Sequence, residues 1–410
     1  MNSIYRKGKH SGVAAIALAM LAAVVLLAAT AIPAQAQTET VLYSFHGSPS
    51  GGPDGAYPLA GPLLVGTTLY GTTSQGGSAG NGTVWSVSTT TGKETVLYSF
   101  QGEPNDAWGP SGGLAYYKGS FYGTTTYGPT QPLGGPGTVF KISKSGKKYV
   151  ETILHVFTDD PDGAYPNYVT PVFDKQGNLY GTTSQGGLQG GSGIVFKLAP
   201  DGTETVLYSF NLNNGGAYNP ESGVTLDKKG NLYGTTASGG EYSYGVLYEI
   251  TAAGQYKVLY NFTGGDDGYQ PYSPPVLDKK GNLWGTSENG FGFYGTVYKF
   301  DPKTSQMTIV HTFTSGADGA SPWAGALVFD KEGNLYGTTA GGGNGDCGSG
   351  GTIYELAPEG NETILHRFNC TPDGQQPLGG VVFDKLGNLY TTTAAGGATT
   401  NGAVIKVTPE

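Results

Sequence analysis

Charge is scarce in this chain of 410 residues: Asp, Glu, Lys and Arg together make up 13%. That is about half the share of an ordinary globular domain and argues against coiled coils and helical bundles, whose solvent faces need charged residues. Lys and Arg (22) are outnumbered by Asp and Glu (31), so no basic surface for phosphate backbones is available. Cysteine occurs twice and histidine five times. No Gly-x-Ser-x-Gly elbow, Gly-x-x-x-x-Gly-Lys loop or His-Glu-x-x-His pair is present, and the Gly-Gly pairs are not followed by a helical pattern. What is abundant is glycine, with 71 residues, and aromatics at 12%, including 28 tyrosines. Glycine at that level marks a chain of many turns, and the aromatic mass supplies a core that a disordered chain would lack. An all-β fold follows.

Residues 1–36 differ from the rest. Arg6, Lys7 and Lys9 precede an apolar run from Val13 to Ile32, followed by Ala34-Gln35-Ala36. This is the order of a signal peptide cleaved before Gln37, although the run is also long enough for an uncleaved anchor. No Cys follows the site, which argues against a lipid-anchored form, and no second long apolar segment is read before Glu410. The mature chain is expected to be secreted or periplasmic, off the membrane and monomeric. Losing three basic residues and no acidic one leaves 19 Lys+Arg against 31 Asp+Glu, a formal charge of −12. Nucleic acid and anionic lipid are then poor partners. In an oxidising compartment Cys347 and Cys370 are expected to form one disulfide.

One proline recurs at Pro58, Pro110, Pro166, Pro220, Pro271, Pro322 and Pro377, in steps of 51 to 56 residues. Seven copies account for residues 37–410 and leave no room for a second domain. Each copy holds four short strand-like runs, here A to D, as in TPVFD, LYGTTS, GIVFKL and TETVLYSF of the third copy. Asp-Lys-x-Gly-Asn joins A to B five times, from Asp174, Asp227, Asp278, Asp330 and Asp384, and suits a short hairpin turn. Four antiparallel strands repeated sevenfold predict a seven-bladed β-propeller. The phase predicts that the N-terminal D strand, Thr40–Phe45, completes the blade ending in Gly402–Val407 and removes two open edges.

The tandem GTVFKI, ETVLYSF, PDGAYP and GNLYGTTSQGG resemble the GloVer repeat of bacterial choice-of-anchor proteins. The first two copies depart from it at the A–B turn, with Val65-Gly66-Thr67-Thr68 and Lys118-Gly119-Ser120. The resemblance implies an exported protein and brings no established activity with it.

The D–A loops are the richest polar feature. They carry Asp54 with Tyr57, Asp106 with Trp108, Asp162 with Tyr165, Asp267 with Tyr269, Asp318 with Trp323, and Asp373; the fourth copy keeps Tyr218 but has Gly215 in place of the Asp. Carboxylates and aromatic faces around a channel mouth suit sugars, whose hydroxyls need acceptors and whose C–H faces stack on rings. Recurrence in nearly every copy equally suits a turn that pins the interblade crossover. Asp159, Asp160 and Asp162 are candidate calcium ligands, without the alternate spacing and closing Glu of an EF-hand. His155, His311 and His366 occupy the strand D position of Tyr43, Tyr98, Tyr208 and Tyr260, which reads as packing. The expected function is a non-catalytic exported binding or scaffold propeller for a glycan or surface partner. The alternative is a glycoside hydrolase or lyase acting on extracellular polysaccharide, which would gather unlike polar residues around the axis; Glu221 after Pro220 is one such departure.

Overall fold

The computed structural model describes residues 38–408 apart from loop residues 48–51, 130–134, 189–190, 213–215, 291, 293, 346–347 and 349. The expected signal peptide therefore lies outside the described residues, and Glu39–Pro409 form one compact unit. Every regular element among the described residues is a strand, and none is a helix long and apolar enough to cross a membrane. Seven four-stranded antiparallel sheets make a seven-bladed β-propeller. Blade 1 comprises Leu63–Val65, Thr68–Thr73, Thr83–Ser88 and Glu94–Ser99. Blades 2 to 6 span 115–156, 172–209, 225–261, 276–312 and 328–367 in the same A-B-C-D order. Blade 7 takes Val382–Phe383, Leu389–Thr393 and Ala403–Thr408 from the C-terminal end and Thr38–Ser44 from the N-terminal end.

The A–B turn is built as its sequence suggests. In blade 3 Asp174 Oδ1 accepts the backbone N–H groups of Gln176, Gly177 and Asn178 at 2.8–2.9 Å, while Oδ2 accepts Asn178 Nδ2 at 2.7 Å and the Tyr180 hydroxyl at 2.9 Å. Gly177 sits at φ 93°, where a side chain would be strained. Blades 1 and 2 replace this turn by two-residue hairpins, Val65 pairing Thr68 and Tyr117 pairing Ser120.

Blades join through a repeated aromatic contact. The Phe that ends strand D packs edge-on against an aromatic ring of strand C in the next blade: Phe45 on Trp85, Phe100 on Phe140, Phe157 on Phe196, Phe210 on Tyr248, Phe262 on Tyr298 and Phe313 on Tyr354, with centroids 5.2–5.5 Å apart. Each such ring lies over the glycine of the LYGTT or similar strand B that pairs with it. A Cβ on Gly181 would fall 2.7 Å from the Phe196 ring. Blade 7 makes the complementary exchange, pairing Thr391 with Ile405. Bulk removed from strand C is returned in strand B, which keeps the interface filled.

Strands A converge on the axis. A Cβ on Gly379 would come within 1.8 Å of the Gly61 backbone nitrogen, so the innermost strands approach more closely than side chains allow. The buried Thr directly after the glycine position of strand B then ties one blade to the next through backbone carbonyls: Thr72 to Gly112 at 2.7 Å, Thr182 to Ser222 at 2.8 Å, and Thr392 to Ala60 at 2.8 Å across the ring closure.

Candidate ligand site at the channel mouth

The D–A and B–C loops share one face because they bond to each other. Trp108 pairs with Tyr127, Ala164 with Gln185, Tyr218 with Ser238, Tyr269 with Asn289, Ala320 with Gly341 and Gln375 with Ala395.

On this face the repeated aspartates turn toward their own blades. Asp54 accepts the Tyr43 hydroxyl and the His46 N–H; Asp106 accepts the Tyr98 hydroxyl at 2.8 Å and the N–H groups of Gln101 and Ala107 at 2.7 and 2.8 Å. Asp162 holds Thr158 and lies 3.1 Å from His155 Nε2; Asp267 holds Tyr260 and Thr263; Asp318 holds Thr314; Asp373 holds Asn369 and lies 2.9 Å from His366 Nε2. Asp54 and Asp373 are only 2% exposed. The repeated carboxylate therefore caps the start of each loop and anchors it to the Tyr or His of strand D. The position of Gly215 lies outside the described residues, and in that blade Tyr208 stacks on Tyr256, centroids 3.8 Å apart, where its counterparts bond an Asp.

The aromatics divide. Trp108 stacks on Tyr127 at 3.9 Å, and Tyr165 packs edge-on against the same ring at 6.0 Å. Tyr57 and Tyr165 sit at φ 57° and 56° just before their prolines, where Ser74 and Ser184 bond their carbonyls. Tyr269 leans on Tyr244 at 5.5 Å. These are crossover residues that sit against their own or the neighbouring loop, with Tyr218 held as a bridge to Ser238.

Trp323 is different, because it follows its proline. The residue after the repeated proline is Leu59, Ser111, Asn167, Glu221, Tyr272, Trp323 and Leu378 around the ring, a different choice in nearly every blade. Leu59, Ser111 and Leu378 line an apolar cavity of ≈ 240 Å³ along the axis together with the glycines of the converging strands. Tyr168 and Leu378 also border a second cavity of ≈ 480 Å³ at the mouth, with Glu288, Ser321, Trp323 and Gln376. Its volume falls in the range of about 300–1,000 Å³ found for small-ligand sites. Tyr272 stacks on Trp323 at 5.2 Å, and Tyr168 meets the same indole edge-on at 6.5 Å.

Two carboxyls belong to this cluster. Burial raises Glu221 above the usual carboxylate range; burial and the Glu221 charge raise Glu288, despite a hydrogen bond from Asn289. Burial and both glutamates push the Tyr272 hydroxyl up to about 12, and burial with Glu221 raises Tyr168. Glu288 stands in a B–C loop where the other blades have Ser, Thr or Ala. Trp323 Nε1 is buried with no hydrogen-bond partner among the described residues. Tyr168 also holds φ 55°, whereas none of its counterparts two residues after the proline has positive φ. This outlier at a single blade, in a position the repeat does not require, singles the cluster out as the candidate site.

Of these residues only Trp323 belonged to the ring expected from the sequence, and Glu221 was marked as a departure. Tyr168, Tyr272 and Glu288 were missed. The signal available was asymmetry at a position flanked by a constant proline.

The aspartates considered for calcium are not gathered. Asp162 bonds Thr158, the backbone of Asp159 pairs with Gly163, and the side chains of Asp159 and Asp160 are exposed. Among the described residues the three-donor groups are Glu39, His366 and Asp373, and His311, Asp318 and Glu362. In both, the His takes the place of a Tyr that makes the same contact to the Asp elsewhere, so these are read as blade junctions rather than ligand sets. Cys347 lies outside the described residues, while Cys370 begins a turn at φ 68° opposite Gly374.

Residues 30–227 and 219–410 match the Gloeobacter/Verrucomicrobia repeat. The chain belongs to that repeat family. As a Gloeobacter/Verrucomicrobia repeat protein it shares its fold with solved propellers of low sequence identity. The extracellular domain of a putative one-component system from B. thetaiotaomicron aligns with TM-score 0.55 and 11% identity over 92% of this chain, which spans 40% of that one. An oligogalacturonate lyase from Vibrio parahaemolyticus aligns with TM-score 0.55 and 12% identity over 92% of this chain and 95% of its own. Identities this low carry the fold alone, and no curated protein matches the chain.

Proposed function

We propose that this repeat protein is an exported carbohydrate-binding propeller whose ligand sits in the mouth cavity of blades 3 to 7. The observation that carries the reading is the break in symmetry there: Tyr168, Tyr272 and Trp323 gather beside Glu221 and Glu288, at positions that the repeat does not hold constant. Parallel and edge-on rings offer stacking surfaces for pyranose C–H faces, and carboxylates accept hydrogen bonds from sugar hydroxyls. Two acidic groups and the acidic chain favour a neutral glycan over a uronic-acid polymer.

Cleavage of the same glycan is a second reading, favoured by the Glu221 charge acting on Glu288, since a carboxyl whose pKa is raised beside a second one is the equipment of acid–base glycoside hydrolysis. One experiment tests both. The secreted chain is applied to a glycan array with and without calcium, and any glycan retained is incubated with the protein and assayed for new reducing ends. Retention lost in Trp323→Ala supports the site; retention by no neutral glycan sinks the binding reading. New reducing ends that disappear in Glu221→Gln would convert binding into hydrolysis.

A further inference from the structure

Five blade junctions carry a buried glutamate oxygen beside an aspartate. Strand D carries Glu39, Glu94, Glu151, Glu204 and Glu362 in its first few residues in five blades, and in each the Oε1 atom is buried without a hydrogen-bond partner among the described residues, although Glu362 Oε1 lies 3.4 Å from His311 Nε2. Each glutamate faces the capped aspartate of the preceding D–A loop. Glu39 stands with His366 and Asp373, and Glu362 with His311 and Asp318, their donor atoms all within 4.8 Å of one another. Glu94 feels the charge of Asp54, Glu151 that of Asp106, and Glu204 that of Asp162.

The two exceptions follow the same logic. Where Gly215 replaces the aspartate, Tyr256 replaces the glutamate and stacks on Tyr208. At the Asp267 junction the residue is Met307. Two carboxylates enclosed between blades repel each other in a medium that screens poorly, and one proton removes the repulsion while giving the buried oxygen a donor to offer.

We propose that these five junctions are proton-binding sites that tighten the propeller ring as pH falls through neutrality. The other groups facing them are few. The Tyr43 and Tyr98 hydroxyls donate to Asp54 and Asp106, His46 lies 3.6 Å from Asp54, His155 is 3.1 Å from Asp162, and Arg367 opposes the shift of Glu362. His311 and His366 face Glu362 and Glu39 directly. Burial first, and the neighbouring aspartate second, push Glu94, Glu151, Glu204 and Glu362 up to about 7; burial raises Glu39, with His366 opposing the shift and Asp373 adding to it.

A carboxyl whose folded pKa lies above its unfolded value binds its proton more tightly in the native state. Its junction is therefore at full strength below the unfolded pKa, near 4.5, and weakens as pH rises to 7 and beyond. Four such groups together take up roughly 3.5 protons on folding at pH 6, partly offset by His155 and His311, which burial lowers and which therefore release protons on folding.

The test is equilibrium unfolding of the full secreted chain from pH 5 to 8.5, beside a variant carrying Glu94→Gln, Glu151→Gln and Glu204→Gln. The amide mimics the protonated carboxyl and can donate to the aspartate. The wild type should show the proton uptake directly. The variant should lose more than half of it, with a higher midpoint at pH 8 and an unchanged one at pH 5. Met307→Leu, at a junction without the glutamate, should leave the slope alone. Should the triple variant fail to fold, the three single variants and the wild-type proton uptake decide the matter. A wild-type slope near zero, single variants that lower the midpoint at pH 8, or a midpoint at pH 8 that rises with zinc or calcium and falls with chelator would overturn the proposal.

Discussion

Tyr272 and Trp323 stand at the same repeat position in consecutive blades, and their rings lie 5.2 Å apart with planes 11° from parallel. Elsewhere that position holds Leu, Ser, Asn or Glu, so no rule of the repeat requires the stack. Trp108 stacks on Tyr127 with planes 17° from parallel, but there the two rings sit on loops that also pair through their backbones. Trp323→Ala should therefore abolish glycan retention and cost about 1 kcal/mol of stability, in line with an aromatic pair. Trp108→Ala should cost about 3 kcal/mol and leave retention unchanged. Urea unfolding and glycan-column retention of both variants check the contrast.

Asp106 is a stability residue. It is 5% exposed and accepts three hydrogen bonds, from the Tyr98 hydroxyl and the N–H groups of Gln101 and Ala107. Asp106→Ala strands all three donors, and the loss should be about 3 kcal/mol. Asp106→Asn, which keeps an acceptor, should recover part of it. Both are read from denaturant midpoints.

Repetition made the fold legible, and it also misled about the site. A proline in every copy and the Asp-Lys-x-Gly-Asn turn report backbone needs that are the same in every blade, so they could be read without knowing what lies next to them. The D–A aspartates recur for the same reason: each caps the loop beside strand D, and a residue present in six blades is satisfying a need common to six blades. A ligand site breaks that symmetry. Tyr272 is visible as a departure beside its constant proline, but placing Tyr168 and Glu288 with it required knowing which B–C loop lies beside which D–A loop, and that register comes from the closing of the ring rather than from local sequence. The glycine of strand B was overlooked for a related reason, since the aromatic ring above it belongs to the neighbouring strand.

That glycine yields a prediction of its own. A Cβ on Gly285 would lie 2.4 Å from the Tyr298 hydroxyl oxygen and 2.5 Å from its ring carbon, inside a filled interface. Gly285→Ala should destabilise by about 2 kcal/mol through overpacking. Adding Tyr298→Leu should restore part of the loss, following the Thr391 and Ile405 pair that blade 7 already uses. A double-mutant cycle on thermal midpoints measures the coupling.

The proposed Cys347–Cys370 bridge is checked by mass. Cys370 starts a turn closed by its own bonds with Gly374, and its carbonyl also accepts the Gly397 N–H. The oxidised secreted chain should weigh two hydrogens less than the reduced one, and two thiols labelled under denaturing, non-reducing conditions would refute the bridge.

Ring closure sets the last expectation. Thr38–Ser44 supplies the outer strand of blade 7, the Phe45 N–H donates to Gly402 at 3.0 Å, and the Thr399 hydroxyl donates to the Phe45 carbonyl. Phe45 is fully buried and packs on Trp85 of blade 1 at 5.5 Å, so one short segment completes one blade and seals its contact with the next. Deleting residues 37–45 removes that buried ring, worth about 3–5 kcal/mol as a truncation to Ala, and exposes the edge of Ala403–Thr408. The loss should thus exceed what nine terminal residues ordinarily cost, and the exposed edge should drive association between copies. Size-exclusion chromatography and thermal midpoints of the truncated chain measure both, and a synthetic peptide of residues 37–47 added in trans should raise the midpoint. A monomeric truncated chain with the wild-type midpoint would show that the ring holds without its closing strand.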